Sequence, residues 1–209
     1  MSVNKSSAFE AYRYCADPHS GHSKIIKHVG SNKKVLDAGC NKGYLCKEFR
    51  NNGCSAVGIE ADAESAEFAR QFCDKVITAD LEQLKELPYP DNYFDAMVFA
   101  DILEHLKDPS LTLRWLKKYL KPEGLIIVSL PNIARLDIRL KLLLGKFDYE
   151  DAGIMDKTHL RFFTLSSAKK LIQSCGYKVI RIDYTGLCSK IKILPTLISF
   201  QFIIVAKKA

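Results

Sequence analysis

Short apolar runs alternate along this chain with stretches whose apolar residues recur at helical spacing, a pattern that predicts βαβ units around a parallel sheet. An entry helix is expected over 19–30, with Ile25, Ile26 and Val29 on one side. The first strand covers 34–38 and the first helix Gly43 to Asn52, ended near Gly53. Strands at 55–60, 75–78, 94–99 and 125–129 follow, with helices at 63–72 and 110–120 between them. Pro88, Pro90, Asp91 and Asn92 mark one turn, and Pro122-Glu123-Gly124 another. A helix over 166–175, closed by Gly176, precedes strands at 177–184 and 199–207. No helical stretch separates these last two strands, so they are expected to pair antiparallel at the edge of the sheet.

Residues 131–164 depart from the alternation. Pro131 to Lys146 reads as a basic amphipathic helix, with Leu136, Leu140 and Leu143 on one face and Arg135 and Arg139 on another. An irregular acidic segment, 148–164, follows. The expected architecture is therefore one α/β domain over 1–209: a Rossmann-like seven-stranded sheet, mostly parallel with an antiparallel final strand, and helices on both faces. Residues 1–32 would form an N-terminal helical extension, and 131–164 a helical lid inserted after strand five.

Composition changes this picture little. The chain has 209 residues, is 47% hydrophobic and carries a net charge of +7. That charge permits an anionic partner, but the basic residues are dispersed and form no long block, which argues against nucleic acid. The seven cysteines (15, 40, 46, 54, 73, 175, 188) form no C-x-x-C pair and no His/Cys cluster at metal spacing. They read as free thiols in a reducing compartment, with no metal expected. The N-terminal residues lack the apolar core of a signal peptide, and the run Ile191–Val205 is too polar for the roughly 20 apolar residues of a membrane span. A cytoplasmic protein is expected.

The chemistry concentrates where the first strand meets the first helix, in Asp37-Ala38-Gly39-Cys40-Asn41-Lys42-Gly43. Gly39 and Gly43 allow a sharp turn and close approach of a ligand, and Asn41 between them tolerates a left-handed backbone. A phosphate loop would need G-x-x-x-x-G-K-[ST], and a dinucleotide fingerprint would need glycines at 41 and 44; neither is present. Asp37 would repel a phosphate but suit an ammonium or sulfonium group. Glu60 ends the second strand, where an acid can accept from both ribose hydroxyls, and Asp80 follows the third, placed for an adenine amino group.

Val35 to Gly43 resembles the first motif, D/E-x-G-x-G-x-G, of class I S-adenosylmethionine-dependent methyltransferases, with Asn41 in place of one glycine. Glu60 and Asp80 match that family's ribose and adenine acids. Asp101-Ile102-Leu103-Glu104-His105-Leu106 resembles the segment beside the methionine part, and Lys121 to Leu125 the turn before strand five. The resemblance covers residues 33–130 and implies S-adenosyl-L-methionine as cofactor. It implies Asp37, Gly39, Cys40, Asn41, Gly43, Glu60, Ala61, Asp80, Leu81, Ala100 and Asp101 as the positions that hold it.

Asp156 to Thr164 resembles a segment of small-molecule methyltransferases associated with bacterial glycan synthesis. Pro131 to Leu144 resembles a methyltransferase-like group linked to bacterial methionine biosynthesis. The implied activity is methyl transfer to an oxygen or nitrogen of a small molecule, with an anionic or sugar-linked acceptor as one option. His159, or else His105, would act as base. A non-catalytic cofactor-binding partner in methionine biosynthesis and an RNA methyltransferase are the competing readings. No Asp/Asn-Pro-Pro-Tyr/Phe follows strand four and no Pro-Cys occurs, which disfavours transfer to exocyclic amino groups or C5 of nucleic-acid bases.

Overall fold

A computed structural model describes residues 17–186 and 194–209. The elements run α1 (Gly21–Val29), β1 (Lys34–Ala38), α2 (Tyr44–Asn51), β2 (Ser55–Glu60), α3 (Ala63–Ala69), β3 (Lys75–Thr78) and β4 (Phe94–Ala100). Then come a 3-10 turn (Leu103–His105), α4 (Pro109–Leu116) running into a further 3-10 segment (Lys117–Tyr119), β5 (Leu120–Pro131), α5 (Leu136–Leu143), α6 (Leu165–Ser174), β6 (Tyr177–Tyr184), a short α7 (Pro195–Ile198) and β7 (Gln201–Lys208).

The seven strands form one sheet in the order β3-β2-β1-β4-β5-β7-β6. Every pair from β3 to β5 is parallel, and β7 is antiparallel to both β5 and β6. The expected seven-stranded α/β sheet is thus present. The last two strands do pair antiparallel, but the final strand is not the edge: β7 lies inside and β6 is outermost. The short α7 also stands between them. Residues 1–16 of the expected N-terminal extension, and Cys15 and Cys188, lie outside the described residues; Cys40, Cys46, Cys54, Cys73 and Cys175 are free and buried.

Side chains alternate across each strand, so neighbouring residues enter different cores. Val35, Ala56, Ala96, Val98, Ile127 and Ile203 pack with Ile25 and Val29 of α1, Phe49 of α2 and Ala66 of α3. Leu36, Val57, Met97, Ile126, Val128 and Ile204 pack on the other face with Leu113 and Leu116 of α4 and Ala168 and Ile172 of α6. Local capping fixes the helix starts. Asp62 accepts from Ser65 N at 2.8 Å before α3, Asp108 caps α4 ahead of Pro109, and Thr164 forms a reciprocal capping box with Ser167 before α6.

The segment after β5 is less helical than its sequence suggests. The helix expected over 131–146 is confined to Leu136–Leu143. Asn132 cannot enter it, because its buried side-chain amide donates to Thr196 O at 2.9 Å and Ser199 O at 3.0 Å while its Oδ1 accepts from Ala134 N. Leu136, Leu140 and Leu143 share a face that stays exposed; Ile138 is the buried position, packed with Ile154 and Met155 in a small separate core.

Candidate functional site

The carboxyl ends of β1, β2 and β4 open onto a cleft of about 230 Å³. Its walls include Asp37 from β1, Gly39, Cys40, Asn41, Tyr44 and Leu45 from the first turn and α2, Glu60 from β2, Ala100 at the end of β4, Asp101, Ile102 and His105 just beyond it, and His22 from α1. This is the crevice outside the strand ends where ligands bind in open α/β sheets, between strands whose crossovers run to opposite faces.

The first turn is latched from beneath. Gly39 N and Cys40 N both donate to Ile59 O at 2.9 Å, and Asn41 N donates to Glu60 Oε2 at 2.8 Å. Asp62 N donates to Glu60 Oε1 at 2.9 Å. Glu60 therefore holds two backbone amides while lone pairs on both oxygens remain to accept from a ligand. Asn41 sits at φ 48° and Gly39 at φ 78°, and a Cβ on Gly39 would come within 2.7 Å of the Ile102 side chain. Asn41 thus does occupy the left-handed conformation for which glycine is the commoner choice.

Asp37 is 1% exposed. Burial, reinforced by the neighbouring Cys40 and Glu60 and opposed by the thiol of Cys46, pushes its carboxyl well above the ordinary range. Cys46 Sγ lies 3.7 Å from Oδ2, and Oδ1 has no partner among the described residues. An orphaned carboxylate oxygen beside a cleft is an acceptor awaiting a donor. Asp101 also has a left-handed backbone, φ 51°, a conformation that concentrates at functional sites. Its amide donates to Ser129 Oγ at 3.0 Å, and Gln201 Nε2 donates to both of its carboxylate oxygens at 2.7 and 2.8 Å. Burial again raises its carboxyl, against the hydrogen bonds from Ser129 and Gln201 and the attraction of His22.

The remaining sequence candidates fall outside this wall. Gly43 caps α2 at φ 77° beneath the turn, and Ala61 stands exposed past the end of β2. Asp80 accepts from Glu82 N at 2.9 Å and Gln83 Nε2 at 3.0 Å, so its carboxylate closes its own turn; Leu81 is buried in the core. The structure therefore gathers two of the three expected strand-end acids around the cleft. His22, Tyr44, Leu45 and Ile102 line it without having been singled out. No local motif marks His22, which α1 brings in from before the first strand.

His105 lies half-buried at the cleft's edge; burial and the neighbouring His159 lower its pKa. His159 is buried, and its ring meets that of His105 edge-on at 4.8 Å and contacts Phe162. The loop carrying His159 is fastened to the 3-10 turn, since Leu160 N and Arg161 N both donate to Glu104 O at 2.8 and 2.9 Å. The arginines of the segment are engaged internally: Arg135 pairs with Asp137, Arg139 Nε donates to Ala134 O, and Arg161 donates to Lys107 O. Among the described residues no helix is long and apolar enough to cross a membrane.

A family model described as a methyltransferase domain matches residues 9–182. A ubiquinone biosynthesis O-methyltransferase of Actinobacillus pleuropneumoniae is 31% identical over 108 residues, 48% of this chain and 46% of that protein. The mitochondrial ubiquinone biosynthesis O-methyltransferase of Rattus norvegicus is 28% identical over 159 residues, 71% of this chain and 45% of that protein. The chain thus spans less than half the length of these two relatives. Among solved structures, a SAM-dependent methyltransferase of Archaeoglobus fulgidus superposes with a TM-score of 0.69 at 20% identity, covering 89% of this chain and 90% of that one. One from Aquifex aeolicus gives 0.68 at 15% identity over the whole of both chains.

Proposed function

We propose, for a chain that belongs to the methyltransferase-domain family, that it moves a methyl group from S-adenosyl-L-methionine to a hydroxyl oxygen of a small molecule, with nitrogen as the lesser alternative. The observation that carries this reading is the cleft itself: Glu60 and the partnerless oxygen of Asp37 face one space beside a left-handed turn. The residues fit the cofactor's parts. Glu60 would accept from the ribose hydroxyls, and Asp37 and Asp101 would take the donors of the methionine end. Gly39 leaves room that a Cβ would fill. Asp80 would accept from the adenine amino group, since its two oxygens each hold one donor of its own turn and keep lone pairs as those of Glu60 do.

S-adenosyl-L-methionine supplies an already activated methyl on a sulfonium. The protein's work is then position and orientation. Positive charge at sulfur disappears during transfer, so carboxylates pressed against sulfur would favour the ground state. Gripping the amino and ribose ends avoids that penalty. Residues 131–164 act as the lid and supply acceptor contacts. The aromatic group Phe147, Tyr149 and Phe162, with ring centroids 5.5 to 6.4 Å apart, supports an aromatic acceptor. The likeness to O-methyltransferases supports oxygen as the receiving atom. The engaged lid arginines lend nothing to an anionic or sugar-linked acceptor.

Calorimetry with S-adenosyl-L-methionine tests the reading. Saturable binding followed by methylation of a hydroxylated aromatic is expected, and absence of binding at millimolar ligand would overturn it. Binding without turnover across a broad acceptor panel would favour a non-catalytic partner. Steeply salt-dependent RNA affinity would favour an RNA methyltransferase.

A further inference from the structure

Next to the cleft, on the side of the lid, stands a group of side chains that the cofactor does not account for. Glu104 is 1% exposed, yet neither of its carboxylate oxygens has a hydrogen-bond partner among the described residues. A buried carboxyl with nothing to bond to is costly, and the usual remedies are a paired cation or a coordinated metal. One oxygen of Glu104 and one ring nitrogen each of His105 and His159 lie within 4.8 Å of one another.

Both imidazoles are oriented from behind. His159 Nδ1 is 3.1 Å from Ile154 O, and His105 Nδ1 is 3.2 Å from Thr158 O. A carbonyl only accepts, so each Nδ1 carries a proton, and Nε2 is the atom with a lone pair to give in the neutral ring. Thr158 Oγ1, itself donating to Asp156 Oδ1 at 2.7 Å, is a second acceptor for His105 at 3.3 Å. Backbone carbonyls and a carboxylate behind the histidines are the supports that metal-binding imidazoles characteristically have. The carboxyls of Asp101 and Asp156 add negative potential around Glu104.

We propose that Glu104, His105 and His159 bind a divalent transition-metal cation, such as zinc, manganese or cobalt, between the cofactor cleft and the lid. Two neutral imidazoles and one carboxylate suit such an ion and leave coordination positions open. Metal–ligand bonds of about 2.1 Å place adjacent ligand atoms about 3 to 3.5 Å apart, so a separation of 4.8 Å shortens by roughly 1.3 to 1.8 Å on loading. The unpartnered Glu104 is the member that gains most.

The site's use rests on the methyl-transfer reading. An acceptor hydroxyl at an open coordination position loses its proton to solvent water more readily. Its oxygen then bonds to the methyl carbon while the carbon–sulfur bond breaks, the electron pair staying on sulfur. The histidines would then act on the proton through the cation and not as direct bases.

The test is titration of the chelator-stripped full chain with cobalt(II) alone, followed by absorption spectroscopy. Binding of about one equivalent is expected, with d–d bands and no thiolate charge-transfer band, so that the buried cysteines are excluded as ligands. Glu104→Gln, which keeps the carboxyl's shape, and His159→Gln should each weaken cobalt affinity by roughly 100-fold or more. Thermal melting of both variants reports whether they fold, and either folded variant suffices. Absence of cobalt binding, thiolate bands, or unchanged affinity in a folded variant would overturn the site. Calorimetry with S-adenosyl-L-methionine on the same preparations separates the two proposals. Cofactor binding without metal binding rejects the metal site alone, and the reverse rejects the methyl-transfer reading alone.

Discussion

The backbone amide of Asn41 donates to Glu60 Oε2 at 2.8 Å, which ties the tip of the first turn to the end of the second strand. Two substitutions at Glu60 should therefore differ. Glu60→Gln keeps one oxygen for the turn but loses the charge, and should weaken S-adenosyl-L-methionine binding by roughly 10- to 100-fold, the scale of a charge-assisted hydrogen bond. Glu60→Ala should weaken binding at least as much and also lower stability by about 1 kcal/mol, because two amides lose their acceptor. Calorimetry and chemical denaturation read the two effects separately; equal stability in both variants would refute the latch.

Burial of the Asp37 carboxyl carries a stability cost. Its carboxyl is raised in the folded chain, so the native state holds its proton over a range in which the unfolded chain has released it. Its contribution is thus most favourable below the ordinary value of 3.8 and declines as pH rises through the raised folded value. Asp37→Asn should stabilise the ligand-free protein at neutral pH by on the order of 1 kcal/mol, and should weaken cofactor binding. A variant that is both less stable and unchanged in binding would contradict this assignment.

Gly39 faces Ile102 too closely for any side chain. Gly39→Ala should cost roughly 1 to 3 kcal/mol and narrow the cleft. Part of the loss is steric and part is the left-handed backbone. A double-mutant cycle with Ile102→Ala should recover the steric part and leave about 1 kcal/mol. Full recovery would show that the backbone conformation carries no cost.

His28 and Asp183 tie α1 to β6 through a contact of 2.5 Å between Nε2 and Oδ2. Burial alone would raise the Asp183 carboxyl, but the hydrogen bonds from His28 and Arg181 outweigh it and hold the carboxyl below its ordinary value. Its stabilisation is complete above 3.8 and disappears as pH falls through the lowered folded value. Denaturation midpoints of wild type and Asp183→Asn should differ at pH 6 and converge under strong acid; a gap independent of pH would assign the contact to packing.

Much of the fold follows from local pattern, because buried parallel strands are nearly continuous apolar runs and the helix starts carry their own caps, Asp62, Asp108 and Thr164 among them. The position of β7 does not, since its pairing partners are set by the whole sheet and not by its own residues. The leucines of α5 mislead for a related reason: helical spacing shows that Leu136, Leu140 and Leu143 share a face but not whether anything covers it. At the site, Asp37, Glu60 and the turn are legible because they are adjacent in sequence to strand ends. The local partners of Asp80, Glu82 N and Gln83, are not legible in the same way, because they depend on how its own turn closes. The grouping of Glu104 and His105 with His159 could not be read from spacing, because it forms only when the loop carrying His159 hangs its amides on Glu104 O.

The insertion of β7 between β5 and β6 has a consequence for how the protein is made. Strand β5 leaves the ribosome long before residues 201–208 exist, and until then its free edge, like that of β6, is open to wrong partners. Gln201, which fixes the Asp101 carboxylate across the cleft, arrives on that same strand. A nascent chain can therefore shape the first turn early but cannot finish the Asp101 side of its cleft until translation has passed residue 201. Activity would then appear as a late event of synthesis, and chaperone demand should concentrate in the interval before it.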